Sequence, residues 1–211
     1  MRDPRARAGR LIGALCFALA ATAVAADDAA TKVVARLNAV LLDVLEHAQQ
    51  LGYQGRFDKI APAVAETFDG DFMAEKAIGR YWKPLSDADR ARWVALFREF
   101  LVANYAGNFD KYSGQKFDIR GADPDQNDTT VVHTTLVNPG ADDVELNYRL
   151  HQTPAGPRII DVYLKGTVSE LALRRSDYTS VLERDGFEGL LTTVRSKIAD
   201  LAAGRAKRQP G

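Results

Sequence analysis

At Gly114 the spacing of apolar residues in this chain changes from a helical period to strict alternation, and few architectures accommodate such a switch in one domain. Upstream, Val33, Leu37, Val40, Leu41, Val44 and Leu45 recur at three- and four-residue spacing within 29–51, which predicts an amphipathic helix. Gly52 and Gly55 are placed to end it. Two shorter helical stretches follow at about 56–68 and 71–82, parted near Gly70. Ser86 and Asp89 have the spacing of a capping box. They precede a long helix carrying Trp93, Leu96, Phe97, Phe100, Leu101 and Tyr105, which fades over 107–112.

Downstream of Gly114, Phe117 and Ile119 alternate with Lys116, Asp118 and Arg120. The run 129–137 is β-branched apart from His133 and Leu136. Leu146, Tyr148 and Leu150 alternate with Glu145, Asn147, Arg149 and His151, and Ile160, Val162 and Leu164 with Asp161, Tyr163 and Lys165. These patterns predict four strands of a half-exposed antiparallel sheet. Breaker-rich segments at 121–125, 138–140 and 153–157 supply the turns. Helical character returns at about 171–182 and 188–201, and the polar tail 205–211 is expected to fray. Helices, then strands, then helices, with no βαβ alternation, indicate an α+β fold. One sheet face must be covered by helices, and the long aromatic-rich helix is the expected lid.

The N-terminus carries a second strong signal. Arg2, Arg5, Arg7 and Arg10 precede an uncharged run from Leu11 to Ala25, and small residues follow at Ala23-Val24-Ala25-Ala26. A basic segment, a short apolar segment and small residues before a cut define a cleavable export signal. The apolar run is too short and too rich in Ala for a spanning helix. Residues 1–26 are therefore expected to be removed, leaving 27–204 as one domain in the periplasm. Cys16, the one cysteine of 211 residues, is lost with the signal because Leu15 before it does not suit a lipoprotein site. The processed chain keeps 24 of 28 bases and 27 of 28 acids, a net charge of −3. That balance argues against nucleic acid as a partner.

Catalytic signatures are not found in the sequence. His47, His133 and His151 lie outside any metal-ligand spacing, although His133 and His151 sit on predicted strands and are able to meet across the sheet. No G-x-S-x-G, P-loop or G-x-G-x-x-G occurs. Asp123, Asp125 and Asp128 lack the Gly and bidentate Glu of a calcium loop and read as turn acids. Asp161, flanked by Ile160 and Val162, wants a partner, and period-2 alternation predicts a salt bridge on the polar sheet face. No catalytic residue, metal or cofactor is assigned. The remaining feature is an apolar stripe on the long helix facing apolar strand positions, read either as core or as the walls of a tapering cavity between helix and sheet.

Residues 77–117 and 158–191 resemble the MlaC-type periplasmic lipid-shuttle (toluene-tolerance) proteins. The likeness rests on Gly79-Arg80-Tyr81-Trp82, the F-x-x-F-L of Phe97–Leu101, Tyr105, Tyr112, Gly114-Gln115, Asp161-Val162, Gly166-x-x-Ser169 and Arg175-Ser176-Asp177-Tyr178. The stretches ANYAGNFDKY, DVYLKGTVSE and LRRSDY are most similar to the hopanoid-associated branch called HpnM. Pro157-Arg158 stands where the family usually has Trp-Lys. Leu171-Ala172-Leu173-Arg174 replaces the Asn-Tyr pair that many phospholipid carriers place before Arg-Ser.

The resemblance implies a cone-like, helix-covered sheet whose apolar cavity holds hopanoid or phospholipid and carries it between inner- and outer-membrane transport complexes, docking transiently with each. The expected cavity lining is Phe97, Leu101, Tyr105, Phe117, Leu146, Tyr148, Ile160, Val162 and Leu164. Arg149, Lys165, Arg174 and Arg175 are the expected contacts for an anionic head group or partner acids. Two alternatives stand beside this reading. One is an adaptor that docks onto a hopanoid transport or biosynthesis complex without holding lipid. The other is an enzyme of the same fold type that would use Tyr148 or Asp161.

Overall fold

Heptad-like apolar spacing produces the first helix, α1 (Cys16–Glu46), whose buried stripe is Ala30, Val34, Leu37, Leu41, Val44 and Leu45. The computed structural model describes the backbone of residues 16–205 and side chains from residue 28 onward. The basic start of the export signal therefore lies outside the described residues, as do 206–211 of the tail. Among the described residues no helix is long and apolar enough to cross a membrane.

The chain turns at His47 and resumes as α2 (Ala48–Thr67). Gly52 (φ 60°, ψ −175°) breaks this helix after its first turn, a conformation that glycine adopts without a Cβ penalty. Gly55, expected to share in ending the helix, lies inside α2 instead. Then come α3 (Gly70–Ile78), a 3₁₀ turn at Gly79–Tyr81, and α4 (Asp87–Asn108). The Asp69 side chain caps α3 by accepting from Phe72 N–H at 3.0 Å. Ser86 caps α4, accepting from Asp89 N–H at 3.1 Å and donating to the Asp89 carboxylate at 2.8 Å, in the capping arrangement its spacing predicts.

Five strands follow: β1 (Lys116–Asp125), β2 (Thr129–Val137), β3 (Val144–Thr153), β4 (Gly156–Leu164) and β5 (Val168–Ser169). They form an antiparallel meander in chain order. The sheet thus has one strand more than expected, because a two-residue strand has no periodicity to read. β1 also runs through the segment 121–125 assigned to a turn. A bulge between Ile119 and Gly121 lets it continue, and the reversal falls over 126–128, where Asn127 and Asp128 take φ of 57° and 54°, the left-handed region that Asn and Asp tolerate. The last helix, α5 (Glu170–Ala202), breaks at Gly186 (φ 68°, ψ −169°), between the two helical stretches that the sequence predicts.

The layering departs from expectation in one respect. α1 is the helix that lies across the sheet, approaching β1, β2 and β4, whereas α4 is packed among α2, α3 and α5. α4 reaches the sheet through side chains near its C-terminal end, by an aromatic row. Phe68 meets Tyr105 edge-on at 5.9 Å, Tyr105 meets Phe109 at 5.7 Å, and Phe109 stacks on Phe117 of β1 at 6.3 Å. An aromatic-rich helix belongs where the surrounding layer is densest, and Trp93 and Phe97, both fully buried, sit between α3 and α5.

Asp161 holds the junction of β4, β5 and α5. Its carboxylate accepts from Val162 N–H (2.8 Å), Leu171 N–H (3.1 Å) and the Ser169 hydroxyl (2.6 Å). It therefore secures the start of α5 rather than forming the expected salt bridge. Its cross-strand neighbour Arg149 pairs with Asp125 at 3.1 Å instead. Burial raises the Asp161 pKa against the lowering effect of these hydrogen bonds. An acid whose folded pKa is raised binds its proton more tightly when folded, so its contribution to stability falls as pH rises from the ordinary aspartate range through the raised value. Asp161→Ala is expected to cost roughly 2–4 kcal/mol, since it strands three donors. Asp161→Asn, which keeps an acceptor but cannot ionise, should lose that pH-dependent component. Urea titrations of both variants between about pH 4 and 7 test this; identical pH profiles for wild type and Asp161→Asn would contradict it.

Candidate functional site

A groove of about 590 Å³ opens between α2 and α4. Phe57, Ala61, Val64 and Ala65 form the α2 wall, Leu101 and Val102 the α4 wall, and Phe68 the end toward the sheet. The helical spacing of 57, 61, 64 and 65 puts these residues on one face of α2, and it supplies a wall whose side chains are mostly apolar. The rim is polar: Asp69, Asp71, Arg98, Glu99, Thr153 and Arg158. Arg98 pairs with Asp71 at 2.5 Å. Arg158, in the Pro157-Arg158 position that departs from the family pattern, donates to the carbonyl of Ala65 at 2.8 Å and so ties the β3–β4 hairpin to the end of α2.

Phe68 faces the groove and also contacts Tyr105, so the groove abuts the domain interior. There Tyr105 and Tyr148 face one another. Burial drives both phenols well above the ordinary tyrosine range, and with their protons firmly held they offer hydroxyls rather than phenolates at neutral pH.

The expected lining residues divide into three groups. Leu101 lines the groove, and Tyr105 adjoins it through Phe68. Leu146, Tyr148 and Val162 belong to the buried core under the helices, and Phe117 and Leu164 are half-buried against it. Phe97 packs on Trp93 at 5.6 Å within the helical layer. Ile160 is buried but stands outside the contiguous core. A bulge shifts the β3–β4 register there, so that Ile159 pairs with Leu150 and occupies the core position that strict alternation gives to Ile160.

The expected cationic set is dispersed. Arg149 is held by Asp125, the Thr129 hydroxyl (2.9 Å) and the Gln126 carbonyl (2.9 Å). Arg174 is largely buried, paired with Glu170 at 2.8 Å. Lys165 and Arg175 are exposed, the latter lying over Gly79. None of the four lines the groove, whose cations are Arg98 and Arg158. Sequence reasoning missed these two, together with Phe57, Ala61, Val64 and Phe68. The α2 residues carry a helical stripe that was legible, but nothing in it told which helix would face α4 across an opening.

A second hollow of about 460 Å³ lies against the sheet and is lined mainly by polar groups, including Arg120, Asp123, His133, Glu145 and Asn147. Its His133 is paired with Asp123 at 3.0 Å, and His151 with Asp69 at 2.8 Å, so the two histidines take separate partners rather than meeting. Among the described residues no group of three or more His, Cys, Asp or Glu is placed to hold a metal ion.

Fold and site together define a class: an α+β domain with an antiparallel meander roofed by helices and a largely apolar groove beside its interior. The same fold is seen in the phospholipid-binding protein from Ralstonia solanacearum, solved in complex with a phospholipid. That structure superposes with a TM-score of 0.69 at 21% identity, covering 84% of this chain and 98% of the other. The model of the MlaC protein family matches residues 35–196, and the chain belongs to that family.

Proposed function

We propose that this protein is a periplasmic lipid carrier, exported with loss of residues 1–26, that holds hopanoid or phospholipid and moves it between inner- and outer-membrane transport complexes by transient docking. The observation that carries this reading is the apolar groove between α2 and α4, closed at one end by Phe68 and through it adjoining Tyr105 and the interior. The Ralstonia protein of the same fold, which binds a phospholipid, supports a lipid as the ligand. The sequence likeness to the HpnM branch favours a hopanoid. Each methylene withdrawn from water contributes about 0.8 kcal/mol, so one long chain in such a groove needs no further chemistry for tight binding. Release then requires a partner that binds the opened state better.

Val168 and Leu173, 40% and 45% exposed, flank the β5–α5 junction beside Lys165 and Arg175. Exposed apolar side chains here suit a docking surface, and they are the observation that favours the adaptor reading. Native mass spectrometry with lipid extraction, on protein purified from the periplasm without detergent, separates the two. The carrier reading expects one or more co-purified lipids and an intact mass lacking the first 26 residues. Protein that is empty and refuses added lipid would favour the adaptor.

A further inference from the structure

The interior behind Tyr105 holds more polar chemistry than a purely hydrocarbon ligand would use. Glu170 and Arg174, one turn apart on α5, have side chains only 14% and 15% exposed. The Arg174 guanidinium also lies 4.6 Å from the centre of the Phe100 ring. Its pairing leaves Glu170 Oε1 buried with no hydrogen-bond partner. The hydroxyls of Tyr148 and Tyr178 are buried and unpartnered as well, and both residues are 0% exposed. Tyr178 is within electrostatic reach of Arg174 and Glu170, and Tyr105 within reach of Tyr148, Glu170 and Arg174. Arg174 thus interacts with both Glu170 and Tyr178, and Tyr105 links them to Tyr148. The Tyr105–Tyr148 and Tyr178–Arg174 pairs approach closely but miss good hydrogen-bond geometry.

Folded interiors pair nearly all their buried polar groups, so three orphaned atoms along this chain of polar side chains mark a place where a missing polar group belongs. Its chemistry follows from what surrounds it. Glu170 Oε1 accepts only, so the missing group must donate. The two phenols, protonated because burial raises both and holds Tyr178 at about 12, can donate or accept. An anionic group would meet a carboxylate whose neighbouring arginine is already paired. An uncharged hydroxyl donates and accepts at once and carries no charge to be buried.

We propose that Glu170, Tyr148 and Tyr178 form a deep ligand subsite that recognises the hydroxyl group of a hydroxylated lipid. This deepens the carrier reading and rests on it. The route is marked by contacts already described: Phe68 faces the groove and touches Tyr105, whose hydroxyl faces Tyr148. A chain lying in the groove with its far end directed past Phe68 would bring a terminal hydroxyl to these groups.

Competition against a fluorescent fatty acid tests it, using hexadecanoic acid and 16-hydroxyhexadecanoic acid, which differ only in the terminal hydroxyl. The wild-type protein is expected to bind the hydroxylated acid about tenfold more tightly, the effect of one or two hydrogen bonds to otherwise unpaired buried groups. In the Tyr148→Phe/Tyr178→Phe double variant, which leaves the Glu170–Arg174 pair intact, the ratio should fall toward one. Equal or weaker binding of the hydroxylated acid by wild type overturns the subsite and leaves the carrier reading standing. A preference that survives the double variant overturns the assignment to the two phenols. Failure to bind either acid or the fluorescent probe overturns the carrier reading and the subsite together.

Discussion

Trp93→Ala is expected to lower the unfolding free energy by about 3–5 kcal/mol, in the range of large-to-small changes at fully buried aromatic positions. The indole is 0% exposed and donates from Nε1 to the Ala74 carbonyl at 2.8 Å. It meets Tyr178 edge-on at 5.4 Å and Phe97 at 5.6 Å, so it joins α3, α4 and α5 at one point. Its loss opens a cavity between three helices that cannot collapse without moving one of them, and it strands the carbonyl of Ala74. For a chain of this size the melting temperature should fall by roughly 10 °C, read by far-ultraviolet circular dichroism. Trp93→Phe, which keeps most ring contacts and loses the hydrogen bond, should recover more than half of the loss. A shift of under about 3 °C for the alanine variant would mean that the three-helix junction is not where the domain's stability resides.

The second large effect is on ligand uptake. Ala61→Trp/Ala65→Trp places two indoles on the groove face of α2, one turn apart. Both sites border open space, Ala61 half-buried and Ala65 exposed, so the change fills the groove without overpacking the core. Uptake of a fluorescent phospholipid from vesicles should fall by more than about tenfold, as several methylenes lose their apolar walls, with the melting temperature nearly unchanged. The same substitution at exposed Ala95 on α4, which does not line the groove, should leave uptake intact. Undiminished uptake by the double variant would place the lipid elsewhere, and the proposed role of this groove would fail.

These two sites differ in how far the sequence reveals them. Trp93 was legible: the spacing of Trp93, Leu96, Phe97, Phe100 and Leu101 marks a helix face that must be buried, and all five are. The break at Gly186 and the cap at Ser86 were legible too, because glycine with positive φ and a serine three residues before an acid act through local backbone chemistry. The same holds for the alternation that gives β1 to β4. Local rules failed where one residue changes a register. The bulge after Ile119 carries β1 past the segment read as a turn, and the one beside Leu150 exchanges Ile160 for Ile159 in the core.

The sequence by itself determined the helices, the four long strands, the α+β class and the family likeness, because each depends on patterns within about twenty residues of chain. Only the tertiary structure decided that α1 rather than α4 roofs the sheet and that α2 and α4 border the groove. It also placed Arg149, Arg174 and Arg175 away from that groove, and buried the polar ends of Tyr148 on β3 and of Glu170 and Tyr178 on α5 in the interior. Which apolar faces pair is a competition among several stripes of similar hydrophobicity. It is settled by the shapes that pack together with the fewest voids, a property of side chains distant in sequence and of no single segment.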